Sequence, residues 1–369
     1  MNELAAKGHW RKSLGALAVV GALLATGAGA AAAAPAPAPA GTIALGGRAE
    51  TLAVSPDGTR AYAVVDLLNG GTDGVRVLRS VDTRTGATAD LLSVTGYDHV
   101  SRPAVSPDGK RVYVLVNEAL LTFDTVRNQE IARVPVPDQP RPAGFNSGVL
   151  NSLVVSPDGA RVYIDQYGPW AVRLGSRGGR VLGYDAVQRK FAGAVTLTGY
   201  EVAEVVLGPG GTDAWVGTGD SLYHLDTRAA APAVIDLVDD YGPGDEVAPT
   251  PDGRRVYARG YQTTAGTVYR VDPEENTFRS AFTVAPDWTD AHLLAASPDS
   301  RRVYVLKGGT TAQATLLAYD TATDTAVPGE TLSGFGLDSV TRAVLGRDGH
   351  TLYLVGPKGD GSSLRVVGF

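Results

Sequence analysis

The polar residues of this sequence best equipped for chemistry recur at one place. Five or six positions ahead of a recurring Pro-Asp-Gly type of turn stand Glu50 and Thr51, Ser101 and Arg102, Asn151 and Ser152, Ala203 and Glu204, Asp245 and Glu246, His292 and Leu293, and Thr341 and Arg342. An apolar run that reads as a strand follows each pair. Carboxylates, guanidinium groups and an imidazole converging on a concavity are what a polar ligand or a cation needs. The expected ligand-binding set is therefore Glu50, Arg102, Asn151, Glu204, Asp245, Glu246, His292 and Arg342, with Trp288 from a neighbouring loop. Asp98, His99, Glu201, Asp287, Asp290 and Asp338 lie slightly upstream in the same loops. Asp239, Asp240, Asp245 and Glu246 offer hard oxygen donors and form a candidate calcium set, although their spacing matches no EF-hand loop. No other cofactor is expected. Trp170, Tyr241 and Trp288 suit stacking on a sugar ring or a partner protein. A solvated rim around a water-filled channel would need polar lining too, and is the competing reading. Arg173, Arg177 and Arg180 flank a glycine-rich stretch and read as a solvated tip.

The 369 residues include no cysteine, one methionine and five histidines. Disulfides, thiolate metal sites, covalent haem attachment and a cysteine nucleophile are excluded. There is no His-Glu-x-x-His, no Gly-x-Ser-x-Gly elbow and no complete phosphate-binding glycine loop. A formal net charge of −6 gives no basic footprint for nucleic acid and disfavours anionic membranes. Lys7, Arg11 and Lys12 precede an apolar run from Leu14 to Ala28, and Ala30, Ala32 and Ala34 supply small residues for cleavage. Residues 1–34 thus read as a secretory signal peptide, too short and too dilute in Ala and Gly for a retained span. Residues 35–40 alternate Pro and Ala, a semi-rigid linker. The mature chain is expected to be secreted or associated with the cell surface, not inserted in the membrane, and monomeric. Its expected partner is an extracellular protein or glycan.

Those candidate residues must be positioned by the repeat that carries them. Val54-Ser55-Pro56-Asp57-Gly58 runs into Arg60-Ala61-Tyr62, and the phrase returns at Pro107 with Tyr113 and at Pro157 with Tyr163. Looser copies follow at Pro209 with Trp215, Pro251 with Tyr257, Pro298 with Tyr304 and Arg347 with Tyr353. The copies are 42 to 52 residues apart. Proline presets φ, aspartate bonds back to local backbone, and glycine takes the positive φ that closes the turn. The aromatic after it is expected to pack between units. A second phrase, Asp-Thr or a variant, recurs at Asp82, Asp124, Asp185, Asp226, Asp272 and Asp320. Seven units at this period imply an all-β, seven-bladed propeller of four-stranded blades over residues 41–369. The chain ends on a third strand at Phe369, while Thr42-Ile43-Ala44-Leu45 is a strand without a blade. The N-terminal strand is therefore expected to complete the last blade and close the ring.

The unit Ala104-Val105-Ser106-Pro107-Asp108-Gly109-Lys110-Arg111-Val112-Tyr113-Val114-Leu115-Val116-Asn117 resembles the YVTN group of β-propeller repeats, a resemblance that covers residues 41–369. That superfamily includes lactonase-like enzymes, surface-layer proteins and interaction modules. A lactonase-like resemblance implies Glu204 or Glu246 as general base, Arg102 or Arg342 as oxyanion stabiliser and His292 as proton shuttle. In lactonase-like repeats the histidine often sits in Pro-His-Gly, whereas here Ala291 and Leu293 flank it. The sequence alone favours a binding module over a hydrolase or a structural cell-surface module.

Overall fold

The computed structural model describes residues 41–67, 74–95, 99–171, 175–176, 178–199, 202–218, 221–239, 246–259, 266–284, 291–308 and 314–369. The expected signal peptide and linker, residues 1–40, lie outside them. Among the described residues no helix is long and apolar enough to cross a membrane.

The described chain forms seven antiparallel blade sheets, a seven-bladed β-propeller, with a further two-stranded sheet of Trp170–Ala171 and Gly175–Ser176 within blade 3. Blade 3 shows the plan. An innermost strand Val149–Val155 pairs with Arg161–Tyr167, then with Gly179–Asp185, then with the outermost Lys190–Leu197. The other innermost strands are Ala53–Val54, Ala104–Val105, Val202–Leu207, Glu246–Pro249, Ala291–Ala296 and Arg342–Leu345. From blade 1 to blade 7 each lies against its counterpart in the next blade, and Arg48–Ala49 of blade 1 lies against Thr351–Lys358 and Gly361–Gly368 of blade 7, so the seven surround a central channel. Residues just ahead of these strands therefore open on one face around it, while the Pro-Asp-Gly turns lie at the opposite end.

The core sits between blades. Seven hydrophobic clusters each join two neighbouring blades; one packs Tyr62, Val64 and Leu78 of blade 1 against Val112, Val114 and Leu121 of blade 2. The recurring aromatic belongs to these seams at every blade, buried to 6% exposure or less at Tyr62, Tyr113, Tyr163, Trp215, Tyr257, Tyr304 and Tyr353. Its hydroxyl can also reach the next blade: Tyr163 donates to the Thr227 carbonyl at 2.8 Å and Tyr257 to Asp324 Oδ1 at 2.8 Å. At Tyr163 and Tyr257 the ring is buried with its polar tip satisfied, whereas the buried Tyr62 and Tyr113 hydroxyls find no hydrogen-bond partner among the described residues.

The turns form a second ring. In blade 1, Ser55 Oγ donates to Asp57 Oδ1 at 2.6 Å, and Gly58 takes φ +70°. A Cβ on Gly211 would lie 2.4 Å from Pro157 Cδ, and one on Gly349 the same distance from Pro298 Cδ. Each of these turns thus presses its glycine on the proline of the preceding blade. The Asp-Thr phrase ties into this ring. Asp82 Oδ1 accepts the Arg84 and Thr85 amides, while the Thr83 hydroxyl donates to the Gly58 carbonyl at 2.6 Å. Thr125, Thr227 and Thr321 repeat the bond, to the carbonyls of Gly109, Gly211 and Ser300. Blades 3 and 5 carry Ala186 and Pro273 at this position and cannot make it.

Ring closure is as the strand count predicts. Thr42–Ala44 pairs antiparallel with Arg365, Leu364 and Ser363, as the fourth strand of blade 7. The Leu45 amide donates to the Ser362 carbonyl at 2.8 Å, and the Ser362 amide to the Gly47 carbonyl at 2.7 Å. Ile43 and Leu45 enter the cluster between blades 7 and 1.

Candidate functional site

The five residues Arg102, Glu204, Glu246, His292 and Arg342 belong to blades 2, 4, 5, 6 and 7, and the ring brings them together at the channel mouth. β-Bulges help to aim them. The register shifts between Val202 and Glu204 in blade 4 and between Leu293 and Ala295 in blade 6. An extra residue at each point re-aims the side chains ahead of the regular strand.

Two ionic groups result. In the first, Glu204 Oε1 accepts a hydrogen bond from Arg102 Nη1 across the channel, and Arg342 Nη2 approaches the same oxygen at 3.7 Å. In the second, His292 Nδ1 lies 2.7 Å from Glu246 Oε1. The Leu293 amide donates to Glu246 Oε2 at 2.7 Å, and Arg259 Nη1 reaches that oxygen at 3.4 Å. Burial pushes the Glu246 carboxyl up, but His292, Arg259 and the Leu293 amide outweigh it and hold the group below the usual glutamate value. At Arg342 burial acts the other way on a cation: with Arg102 beside it, the guanidinium falls below its ordinary value. Glu204, Glu246, His292, Thr341 and Arg342 line a cavity of about 210 Å³. Chemically the arrangement offers an imidazole held by a carboxylate beside a guanidinium facing open space.

Other expected residues are placed differently. Glu50 does not join the group: it is exposed and pairs with Arg48 at 3.8 Å. Blade 1 explains this, because its inner edge is broken into Arg48–Ala49 and Ala53–Val54, leaving Glu50 between the two. Asn151 is half-buried on the innermost strand of blade 3. His99 is half-buried; its amide donates to Asn117 Oδ1 at 3.0 Å, and burial with Arg76 pushes its imidazole pKa down. Asp338 Oδ2 accepts the Gly359 amide at 3.0 Å. Asp98, Glu201, Asp240, Tyr241, Asp245, Asp287, Trp288 and Asp290, and the side chain of Asp239, lie outside the described residues. Of the candidate calcium donors only the Glu246 side chain is described, and it is engaged by Arg259 and His292. Among the described residues no group of three or more His, Asp or Glu is placed to hold a metal.

Neither a protein-family model nor the sequence of a curated protein matches the chain. Solved structures do. Hydrazine synthase of Kuenenia stuttgartiensis is 16% identical over 87% of this chain and 95% of that one, with a TM-score of 0.63. A chain from a crystal structure of the mitotic checkpoint complex is 14% identical over 96% of this chain and 99% of that one, with a TM-score of 0.65. The likeness is one of fold.

Two mouth residues lie on the second strand rather than the first. Asp165 is wholly buried and accepts hydrogen bonds from the Ser152 amide, at 3.0 Å, and the Ser152 hydroxyl. Burial pushes its carboxyl up to about 7; Glu204 adds to the rise, while Ser152 and Arg102 oppose it. Arg259 is the other. The repeat does hold a signal for both. Two residues beyond the recurring aromatic stand Val64, Leu115, Gly217, Leu306 and Val355, and only blades 3 and 5 place charges there, Asp165 and Arg259. Arg180 corrects an expectation: it is 5% exposed, not a solvated tip. Its Nε donates to Gln166 Oε1 at 2.7 Å, and its Nη atoms reach the carbonyls of Asp138 and Pro137. Arg173 and Arg177 lie outside the described residues.

Proposed function

We propose that the chain is an exported, monomeric binding module that engages an extracellular protein or glycan through its channel mouth. The observation that carries this reading is the convergence of five charged or titratable side chains from five blades on one concavity. Residues about 40 to 240 positions apart in sequence meet only because the ring closes. A structural neighbour from a protein complex accords with an interaction role, though it speaks for the fold alone.

A second reading has its own observation. The His292–Glu246 contact of 2.7 Å beside Arg342 has the parts of a lactonase-like hydrolase: a proton carrier, a carboxylate and a guanidinium for developing negative charge. A structural cell-surface module would leave the mouth without work.

Affinity capture separates the three. The purified chain is immobilised and exposed to the producing cell's secreted proteins and wall fragments, alongside a Glu204→Ala/Glu246→Ala variant of matched melting temperature. Specific capture lost in the variant is the expected result. Turnover of a lactone panel that disappears in Glu246→Gln, with nothing captured, would replace the binding reading by the hydrolase. Absence of both would leave the structural module.

A further inference from the structure

We propose that the mouth cavity is a receptor for a short aliphatic carboxylate, held on the Arg342 guanidinium. This rests on the reading of the mouth as a binding site and names the chemical group that enters it.

The argument begins with partners. Each carboxylate lining the cavity already has its cation: Glu204 accepts from Arg102, and Glu246 is satisfied by His292, Arg259 and the Leu293 amide. Arg342 is not matched in this way. Its nearest carboxylate oxygen is 3.7 Å away, too far for a hydrogen bond, and no hydrogen bond to it occurs among the described residues. A guanidinium has five N–H donors in a planar fork, and the Arg342 side chain is about a third exposed, so its donors are open to an incoming acceptor. Among the described residues, Arg102 and Arg259 are engaged by Glu204 and Glu246, and Arg342 is left as the guanidinium without a carboxylate at hydrogen-bond distance. Asp165 does not line this cavity; it is turned to Ser152 and carries a proton below about pH 7.

Geometry and charge select the ligand class. A carboxylate matches the guanidinium fork with two parallel hydrogen bonds. A phosphate brings further oxygens against Glu204 and Glu246 on the same wall. The remaining wall is aliphatic, with Val206 and Leu306 among its residues. The volume of about 210 Å³ accommodates a small ligand of a few carbons.

Butyrate, butyramide and inorganic phosphate are the probes, titrated calorimetrically into the purified chain at pH 6 and low salt. Butyrate is expected to bind and the other two are not. Arg342→Gln should weaken butyrate about tenfold or more, and Arg342→Lys, which keeps the charge without the fork, should fall between. Equal melting temperatures of the variants exclude misfolding, and Arg342→Lys alone decides the matter if the glutamine variant does not fold. Butyrate binding that is absent, or unchanged in either folded variant, overturns the proposal. Phosphate binding as tightly as butyrate overturns the carboxylate assignment. Loss of capture in Glu204→Ala/Glu246→Ala with no butyrate binding would sink this inference alone; failure of both assays would sink the binding reading as well.

Discussion

Deleting residues 41–47 is expected to lower the melting temperature by about 6–14 °C. The segment supplies the fourth strand of blade 7, and with it Ile43 and Leu45, 8% and 1% exposed in the seam between the last blade and the first. Loss of a buried Ile or Leu side chain costs about 2–5 kcal/mol each. The deletion also strands the edge of Gly361–Gly368 and removes the Leu45 carbonyl that accepts a hydrogen bond from Arg79. For a chain of this length the unfolding entropy is about 0.7 kcal/mol/K, which converts about 4–10 kcal/mol into the stated shift. Differential scanning calorimetry reads it directly. An unchanged melting curve would show that the ring does not depend on its N-terminal clasp.

Asp165→Asn should stabilise the protein by about 4 kcal/mol at pH 8.5 and leave it nearly unchanged at pH 4. The carboxyl has an ordinary value of 3.8 and is raised by burial to about 7 in the fold. Between those values the folded chain holds a proton that the unfolded chain has released. The folded state therefore binds more protons, and stability falls as pH rises through the window. Above about pH 7 the folded protein bears the full cost of a buried carboxylate. Asparagine fills the same volume, keeps an acceptor for the Ser152 amide, and donates to the Ser152 hydroxyl without ionising. Denaturant titrations at the two pH values give the difference. A gain independent of pH would mean that Asp165 is not ionising in a buried site.

The repeat made most of the fold legible because each of its letters has a structural task that recurs seven times. The aromatic marks the seam between blades, and the proline and glycine mark the ring of turns. Even the variation is informative: where Thr is replaced by Ala186 and Pro273, the bond from the Asp-Thr phrase to the turn is missing. Convergence of Arg102, Glu204, Glu246, His292 and Arg342 was legible for the same reason, since position in the repeat is position around the channel. Glu50 departs because the inner edge of blade 1 is broken there, an irregularity that a repeat alignment does not carry. Asp165 and Arg259 lie on second strands, away from the positions ahead of the innermost strands that the repeat aligns at the mouth. Arg180 was misjudged because its partners, Gln166 and the carbonyls of Pro137 and Asp138, come from a different strand and a long connection. Charged residues near glycines look solvated until tertiary structure supplies such acceptors.

That sequence-distant side chains meet across one channel mouth is the claim on which the functional reading depends. A double-mutant cycle on Arg102 and Glu204, 102 residues apart, tests it most directly. Arg102→Gln, Glu204→Gln and the double variant are compared with the parent by equilibrium denaturation. The ion pair is only about a quarter exposed on either side, so a coupling energy of about 1–3 kcal/mol is expected. A coupling indistinguishable from zero would mean that the two side chains do not meet, and the mouth as described here would not exist.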